Sequence, residues 1–434
     1  MSMIKRRIAP LVVTLFVAVV LLCACRNSAD SSSPSMAGGN LSQLRVNGSQ
    51  LVDQTGKVIT LRGFQGLGFY PIDKNLMLQS LENGDDPFMF DPIAIDLARF
   101  TLSEFDLSEI RSTGANVVRL WFDLHELQRQ PGVYSEQALN LLEETINRFG
   151  QNGIYVIPVL GGTGQNTFVE SQFYIDRGLS FWNRNNGLWD RSLDLWRKLA
   201  EQLKDNPYIA GYDLLNEPAA PDAQTLHAFY EEAISAIRNV GDNHIIILEA
   251  DVVNPTPHQL GGTYSDGNLV ASFHFYYPVN FTLLPDQYPN LTYPGVISGT
   301  YWDRATLDQA LATALAADQL QGMPVYVGEF GADGARADDA PALHWIEDML
   351  SLLNEHDLHY TYHNYRSSKN YKGYWFIKPD VAAAQMQLQQ DVANGSRLWG
   401  DVTDEEKQQL FTTTSGYERR VGVKELLTPF LSAP

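Results

Sequence analysis

The chain has 434 residues, of which 44% are hydrophobic and 11% aromatic, enough for a sizeable core and incompatible with wholesale disorder. Its 31 Lys and Arg against 51 Asp and Glu leave a formal charge of −20, which argues against a nucleic-acid backbone as partner and suits a neutral substrate. Two cysteines are too few for a disulfide scaffold or a Cys-rich metal site.

The N-terminus reads as an export signal. Lys5, Arg6 and Arg7 precede an apolar stretch from Leu11 to Leu22 that is short for a membrane span. It ends in Leu22-Cys23-Ala24-Cys25, which resembles a bacterial lipoprotein processing box. The expectation is a signal peptide over 1–24, lipidation at Cys25, a Ser/Gly-rich tether over 25–40 and a catalytic body over 41–434. An ordinary secretory signal that leaves Cys25 as a free thiol is the alternative. Arg26 after the cysteine, rather than Asp, points to the outer membrane if the host is Gram-negative, with the lipid anchor as the sole membrane contact.

Beyond residue 40 the pattern predicts a short hairpin turning at Asp53–Gly56 and then eight apolar strands. These are 58–64, 116–122, 154–160, 209–215, 244–250, 269–276, 324–330 and 358–365. Amphipathic helices fall between them, over Ser135–Gly150, Leu188–Leu203, Ala223–Val240, Ala305–Leu320 and Pro341–Asn354. The helix after the fifth strand is weak, because Pro255 and Pro257 leave it little room. Eight strand-then-helix units give an α/β fold of the (β/α)8 TIM-barrel type. The chain is short from helix to strand but long from strand to helix, at 65–102, 161–187, 277–303 and 366–402, so the long loops gather on the C-terminal face where barrel active sites lie.

Two glutamates stop at that face. The fourth strand ends Leu215-Asn216-Glu217-Pro218 and the seventh Gly328-Glu329-Phe330-Gly331. Two carboxylates in a cleft for a neutral ligand suit glycosidic cleavage: one protonated to supply the leaving oxygen, one ionised to attack or to stabilise the oxocarbenium ion. Such a pair requires a raised pKa at Glu217 and an ionised Glu329. His274 and Tyr276 share one face of the sixth strand, and Arg119 lies inside the apolar run NVVRLWF, where it needs a carboxylate partner. Asp123, Glu249 and Asp251 also lie near strand ends. The two aspartates suit loop capping, and Glu249 is the one to test as a substrate contact.

The ordered set NEP at 216–218, HFY at 274–276 and GEFG at 328–331, with the opening LRG, Arg119 and HNYR at 363–366, resembles glycoside hydrolase family 5, the cellulase family, over nearly all of 41–434. The resemblance implies a retaining β-glycosidase acting on a glucan, mannan or related glycoside without a cofactor. Glu217 becomes the acid/base and Glu329 the nucleophile. Asn216 would bind the sugar 2-hydroxyl, Arg119 and Tyr276 would hold Glu329, and His274 would stand beside Glu217. The sequence departs from the family at Gln65, where Asn is frequent, and at Gly161-Gly162, where the third strand often ends in histidine. The platform tryptophan of the eighth strand is replaced by His363, with Trp375 able to substitute. Among loop aromatics, which offer flat faces to pyranose rings, Trp302 and Trp375 are the leading candidates.

No lysine stands at a strand end for Schiff-base chemistry, and the sixth strand offers His-x-Tyr rather than the His-x-His of a metal-dependent barrel hydrolase. Two readings stay open beside hydrolysis. One is a glycan-binding lipoprotein without catalysis. The other is a transglycosylase using the same covalent intermediate.

Overall fold

The structure, a computed structural model, describes residues 41–161, 180–250, 260, 262–316, 322–334, 339–367 and 373–433. The expected signal, Cys25 and tether lie outside these residues, as do Asp251 and most of the 161–187 loop.

Eight parallel strands close into a barrel. They are β1 (Arg62–Gly68), β2 (Val117–Phe122), β3 (Tyr155–Leu160), β4 (Tyr212–Asp213), β5 (Ile246–Glu249), β6 (Leu269–Phe275), β7 (Val325–Phe330) and β8 (His359–His363). Each pairs with its sequence neighbour, and β8 returns to β1. The helices fall where the periodicity predicts. Ser135 caps Glu136–Gln151 by accepting from the Ala138 N–H, and Leu139, Leu142, Ile146 and Phe149 turn inward. Leu188–Leu203, Ala223–Arg238, Arg304–Leu315 and Ala340–Glu355 follow, with Asp222 and Asp303 capping two of them.

Two expectations are corrected. The first barrel strand is 62–68 rather than 58–64: Val58 bridges Val52 of the N-terminal hairpin instead of joining the barrel. That hairpin pairs Arg45–Asn47 with Gln50–Val52 across Gly48-Ser49. The expected Asp53–Gly56 turn is also present, with Asp53 Oδ1 accepting from the Thr55 and Lys57 amides and Val52 meeting Val58 antiparallel across it. The long segments 65–102 and 366–402 are not bare loops, since they hold helices Lys74–Asn83, Asp91–Thr101 and Pro379–Ala393.

The hairpin plugs the N-terminal end of the barrel. Leu44 and Leu51 pack with Leu61, Val117, Ile157, Ile247, Val270 and Tyr326, all buried. Burying one such aliphatic side chain stabilises the fold by about 1.5–3 kcal/mol. Strand alternation then places Arg119 above Val117, Glu249 above Ile247 and His274 above Ser272 and Val270. The inward column thus changes from apolar to charged toward the C-terminal mouth.

Candidate active site

At the mouth Glu217 and Glu329 face one another. One carboxylate oxygen of each and a ring nitrogen of His274 all lie within 4.8 Å of one another. His274 Nδ1 is 2.8 Å from Glu217 Oε1. The Tyr276 hydroxyl donates to Glu329 Oε2 at 2.7 Å, and Arg119 Nη1 donates to Glu329 Oε1 at 3.0 Å. Arg119 Nη2 also donates to Asn216 Oδ1 at 3.0 Å. Six residues named from sequence, Arg119, Asn216, Glu217, His274, Tyr276 and Glu329, therefore form one connected cluster.

Beneath them lies a second layer. Arg119 is fully buried, and its Nε donates to Asp213 Oδ2 at 2.8 Å while Nη2 pairs closely with Glu249 Oε1. Glu249 Oε2 accepts the Glu217 main-chain N–H at 2.7 Å, and Glu249 Oε1 lies 3.4 Å from His274 Nε2. The Glu249 side chain is only 1% exposed, against 13% for Glu217 and 6% for Glu329. Glu249 thus lies beneath the Glu217–Glu329 pair and does not serve as the substrate contact that its strand-end position suggests. Asp213, in the middle of YDLL, carries no sequence signal separating it from a packed strand residue.

The charges divide by environment. Burial alone would raise the Glu329 carboxyl, but the charges of His274, His363 and Arg119 outweigh it and hold the group at about 2, ionised as a nucleophile requires. Burial disfavours a charged His274, yet the carboxylates of Glu249 and Glu329 lift it well above the ordinary histidine value. Burial pushes Asp213 up; Arg119 draws it down and Glu249 adds to the rise, leaving it at about 8.

Glu217 has a positive φ of 45°, a conformation rare for a side chain of this kind and unusual before proline. Such a residue costs roughly 1–3 kcal/mol and persists where neighbours over-determine it. The Glu249 acceptor on its amide is one of those neighbours.

The remaining expected residues divide. His363 is in the site: Nδ1 bonds closely to Gln65 Oε1 and lies 3.4 Å from Glu329 Oε2, with its ring edge-on to Tyr276 at 6.1 Å. It stands beside Glu329 as a polar neighbour. Trp302 ends a hairpin strand, Thr300–Trp302, and packs half-buried on the core. Trp375 packs against Phe105 and Tyr374, both at 5.8 Å. Among the described residues neither tryptophan makes a hydrogen bond or ring contact with the cluster. Asp123 caps the Leu124–Leu127 helix and pairs with Lys74, as its residue type suggests.

Trp121 escaped the sequence reading. Two residues beyond Arg119 it shares the inward face of β2, half-buried, and its indole N–H is buried without a partner among the described residues. A side chain at Gly161 would meet its ring at 3.0 Å, so the indole fills the space above the glycine that stands where histidine is frequent. The signal was a tryptophan in register with Arg119 inside NVVRLWF.

Glu217, His274 and Glu329 are close enough to chelate a cation. Each is already engaged by a neighbour, His274 by Glu217 and Glu329 by Tyr276 and Arg119, which accounts for the cluster through protein contacts alone.

A closed parallel barrel carrying a glutamate pair at the ends of β4 and β7 has the form of a (β/α)8 glycosidase. Residues 101–369, more than half of the chain, match the cellulase (glycosyl hydrolase family 5) model, and the chain belongs to that family of hydrolases. It is similar to a beta-xylosidase of Phanerodontia chrysosporium, 26% identical over 333 residues, a match spanning 73% of this chain and 66% of that enzyme. It is also similar to endoglucanase C of Acetivibrio thermocellus, 25% identical over 300 residues, covering 61% of this chain and 84% of the relative. Among solved structures an endogalactoceramidase matches with a TM-score of 0.61 at 17% identity, covering 90% of this chain and 85% of the other, a likeness of fold.

Proposed function

We propose that the chain is a retaining β-glycosidase working by double displacement on a neutral β-linked glycan of the glucan or mannan kind. The observation that carries this reading is the approach of Glu217 and Glu329 within 4.8 Å, with Glu329 held ionised. Glu329 attacks the anomeric carbon while the carboxyl of Glu217 gives its proton to the departing oxygen, and the glycosidic bond breaks as the ester to Glu329 forms. Glu217, now ionised, takes a proton from water, whose oxygen displaces Glu329 and releases the sugar. Asn216 commits its oxygen to Arg119, which leaves its amide NH2 as the donor for a sugar hydroxyl. Trp121 offers a flat face at the mouth.

A second reading within the same chemistry is a glycan carrying an apolar aglycone. On the hairpin that follows β6, Val296 and Tyr301 are cross-strand partners and are 63% and 57% exposed. This favours a substrate with an apolar portion, as the name of the similar endogalactoceramidase indicates for that protein.

The test is sugar release by the full-length protein from β-glucans, β-mannans and a β-galactosylceramide, with Glu329→Gln alongside. Release by wild type and not by the variant supports the glycosidase, and the substrate cleaved separates the two readings. Binding by both proteins without release on any substrate supports the glycan-binding alternative. Sugar transferred to an added acceptor, in place of free reducing sugar, supports the transglycosylase.

The chain is further proposed to be an exported lipoprotein carried at the outer membrane by lipid on Cys25. The order of the basic residues, the apolar stretch and the Leu22–Cys25 box supports this. No helix among the described residues is long and apolar enough to cross a membrane. Labelled fatty acid should enter the wild-type protein and not Cys25→Ser.

A further inference from the structure

Among the described residues Glu249 is the carboxylate whose contacts lead to both halves of the catalytic pair. Its Oε2 receives the Glu217 main-chain N–H at 2.7 Å. Its Oε1 pairs with Arg119, whose Nη1 holds Glu329 at 3.0 Å. The same oxygen is 3.4 Å from His274, whose other nitrogen meets Glu217 at 2.8 Å. The Glu249 main chain is also fixed, because its carbonyl accepts from the buried Tyr230 hydroxyl at 2.8 Å. A carboxyl group present only to accept from Arg119 would need one of these contacts. Asp213 is such a group, meeting Arg119 Nε and neither His274 nor the Glu217 amide.

We propose that Glu249 is a positioning residue for both catalytic carboxylates, holding Glu217 in its left-handed bend and, through Arg119 and His274, fixing the hydrogen-bond donors that face Glu329 and Glu217. It touches no substrate, since only 1% of its side chain is exposed. The inference rests on the glycosidase reading for its catalytic consequence but not for its physical content. Among the described residues the charged and titratable groups around Glu249 are Arg119 from β2, Asp213 from β4, Glu217 just beyond β4, His274 from β6, Tyr326 from β7 and Tyr230 from the Ala223–Arg238 helix. Among these Glu249 is the largest cause raising His274.

The experiment compares Glu249→Gln with Asp213→Asn in the full chain. Both substitutions are isosteric and both replace a carboxyl oxygen that Arg119 contacts. Far-UV and near-UV circular dichroism establish that each variant is folded. In Glu249→Gln, kcat on the polysaccharide or glycolipid that wild type cleaves should fall about 10²-fold, the scale of a misplaced catalytic group, with KM within about threefold. Asp213→Asn should lose at least about tenfold less. The His274 imidazole, followed by NMR in protein labelled with ¹⁵N-histidine, should titrate at lower pH in Glu249→Gln and shift much less in Asp213→Asn. Equal kinetic losses and equal titration shifts in the two variants would overturn the proposal, leaving contact with Arg119 as the role of both residues. An unchanged His274 titration in Glu249→Gln would overturn it as well. Should wild type cleave nothing, the glycosidase reading fails by itself, and the titration arm still decides whether Glu249 governs His274.

Discussion

The two ends of the barrel are built from the same eight strands, often from residues two apart, yet hold opposite chemistry. At the N-terminal end Val117, Ile247 and Val270 meet Leu44 and Leu51 of the hairpin in a dry cluster. One step up the same strands, Arg119, Glu249 and His274 join Asp213, Glu217 and Glu329 in a charged one. The pleat explains how this is possible: alternate residues point inward, so one strand can supply an apolar plug below and an ionised group above. The apolar end supplies stability that the charged end does not, because buried ion pairs contribute little net free energy after desolvation. The lesson is a division of labour that substitutions should separate.

The largest effect belongs at the mouth. Glu329→Gln should lower kcat by on the order of 10⁴-fold or more, the scale seen on removal of a nucleophile, while leaving the melting temperature and glycan binding nearly unchanged. A residual rate within tenfold of wild type would move the nucleophile elsewhere. Glu217→Gln should cost about 10²–10⁴-fold on substrates with poor leaving groups and less where the leaving group needs no proton, which a pair of aryl glycosides of different leaving-group acidity would reveal. At the opposite end, Leu51→Ala should destabilise the fold by about 2–5 kcal/mol in a denaturant titration, with turnover of the remaining folded protein within about twofold. A loss of kcat in that variant at unchanged stability would erase the distinction between the ends.

The smallest effect is a pH dependence within the charged end. The folded pKa of Asp213 is raised to about 8, so its contribution to stability is fully present below the unfolded carboxylate value of about 3.9 and is lost as pH rises toward 8. Asp213→Asn lacks that loss. Its stability relative to wild type should therefore rise between pH 5 and pH 8 and level off above, and a difference that stays flat across this range would show that Asp213 is ionised throughout. Glu329 runs the other way: its depressed pKa contributes stability present above about 4.3, which is lost as pH falls toward 2.

Most of the apolar end could be read in advance, because strands buried on both faces leave near-continuous runs such as IYVIPVL and PVYVGEF. The first strand was displaced because RGFQGLG has no β-branched residue, whereas Val58–Thr60 just before it looks like a strand and instead meets the hairpin. The helices inside 65–102 and 366–402 were missed because they are short or built from Gln and Ala with few buried positions, Leu388 alone in Pro379–Ala393. At the charged end the facing glutamates were legible, since each closes an apolar run beside Pro or Gly. Glu249 closes IILE in the same way, and only three-dimensional contacts separate a carboxylate facing the cleft from one facing Arg119. Asp213 and Trp121 lie inside their runs, where a single sequence cannot distinguish a partner of a buried cation, or a ring at the mouth, from ordinary packing.

The central claim is that Glu217 and Glu329 form a retaining pair. The most direct measurement is the anomeric configuration of the first sugar released by wild type, followed by proton NMR before mutarotation. The account predicts the β-anomer first, with no product from Glu329→Gln. Release of the α-anomer first would contradict it, because a single displacement by water would then replace the attack by Glu329.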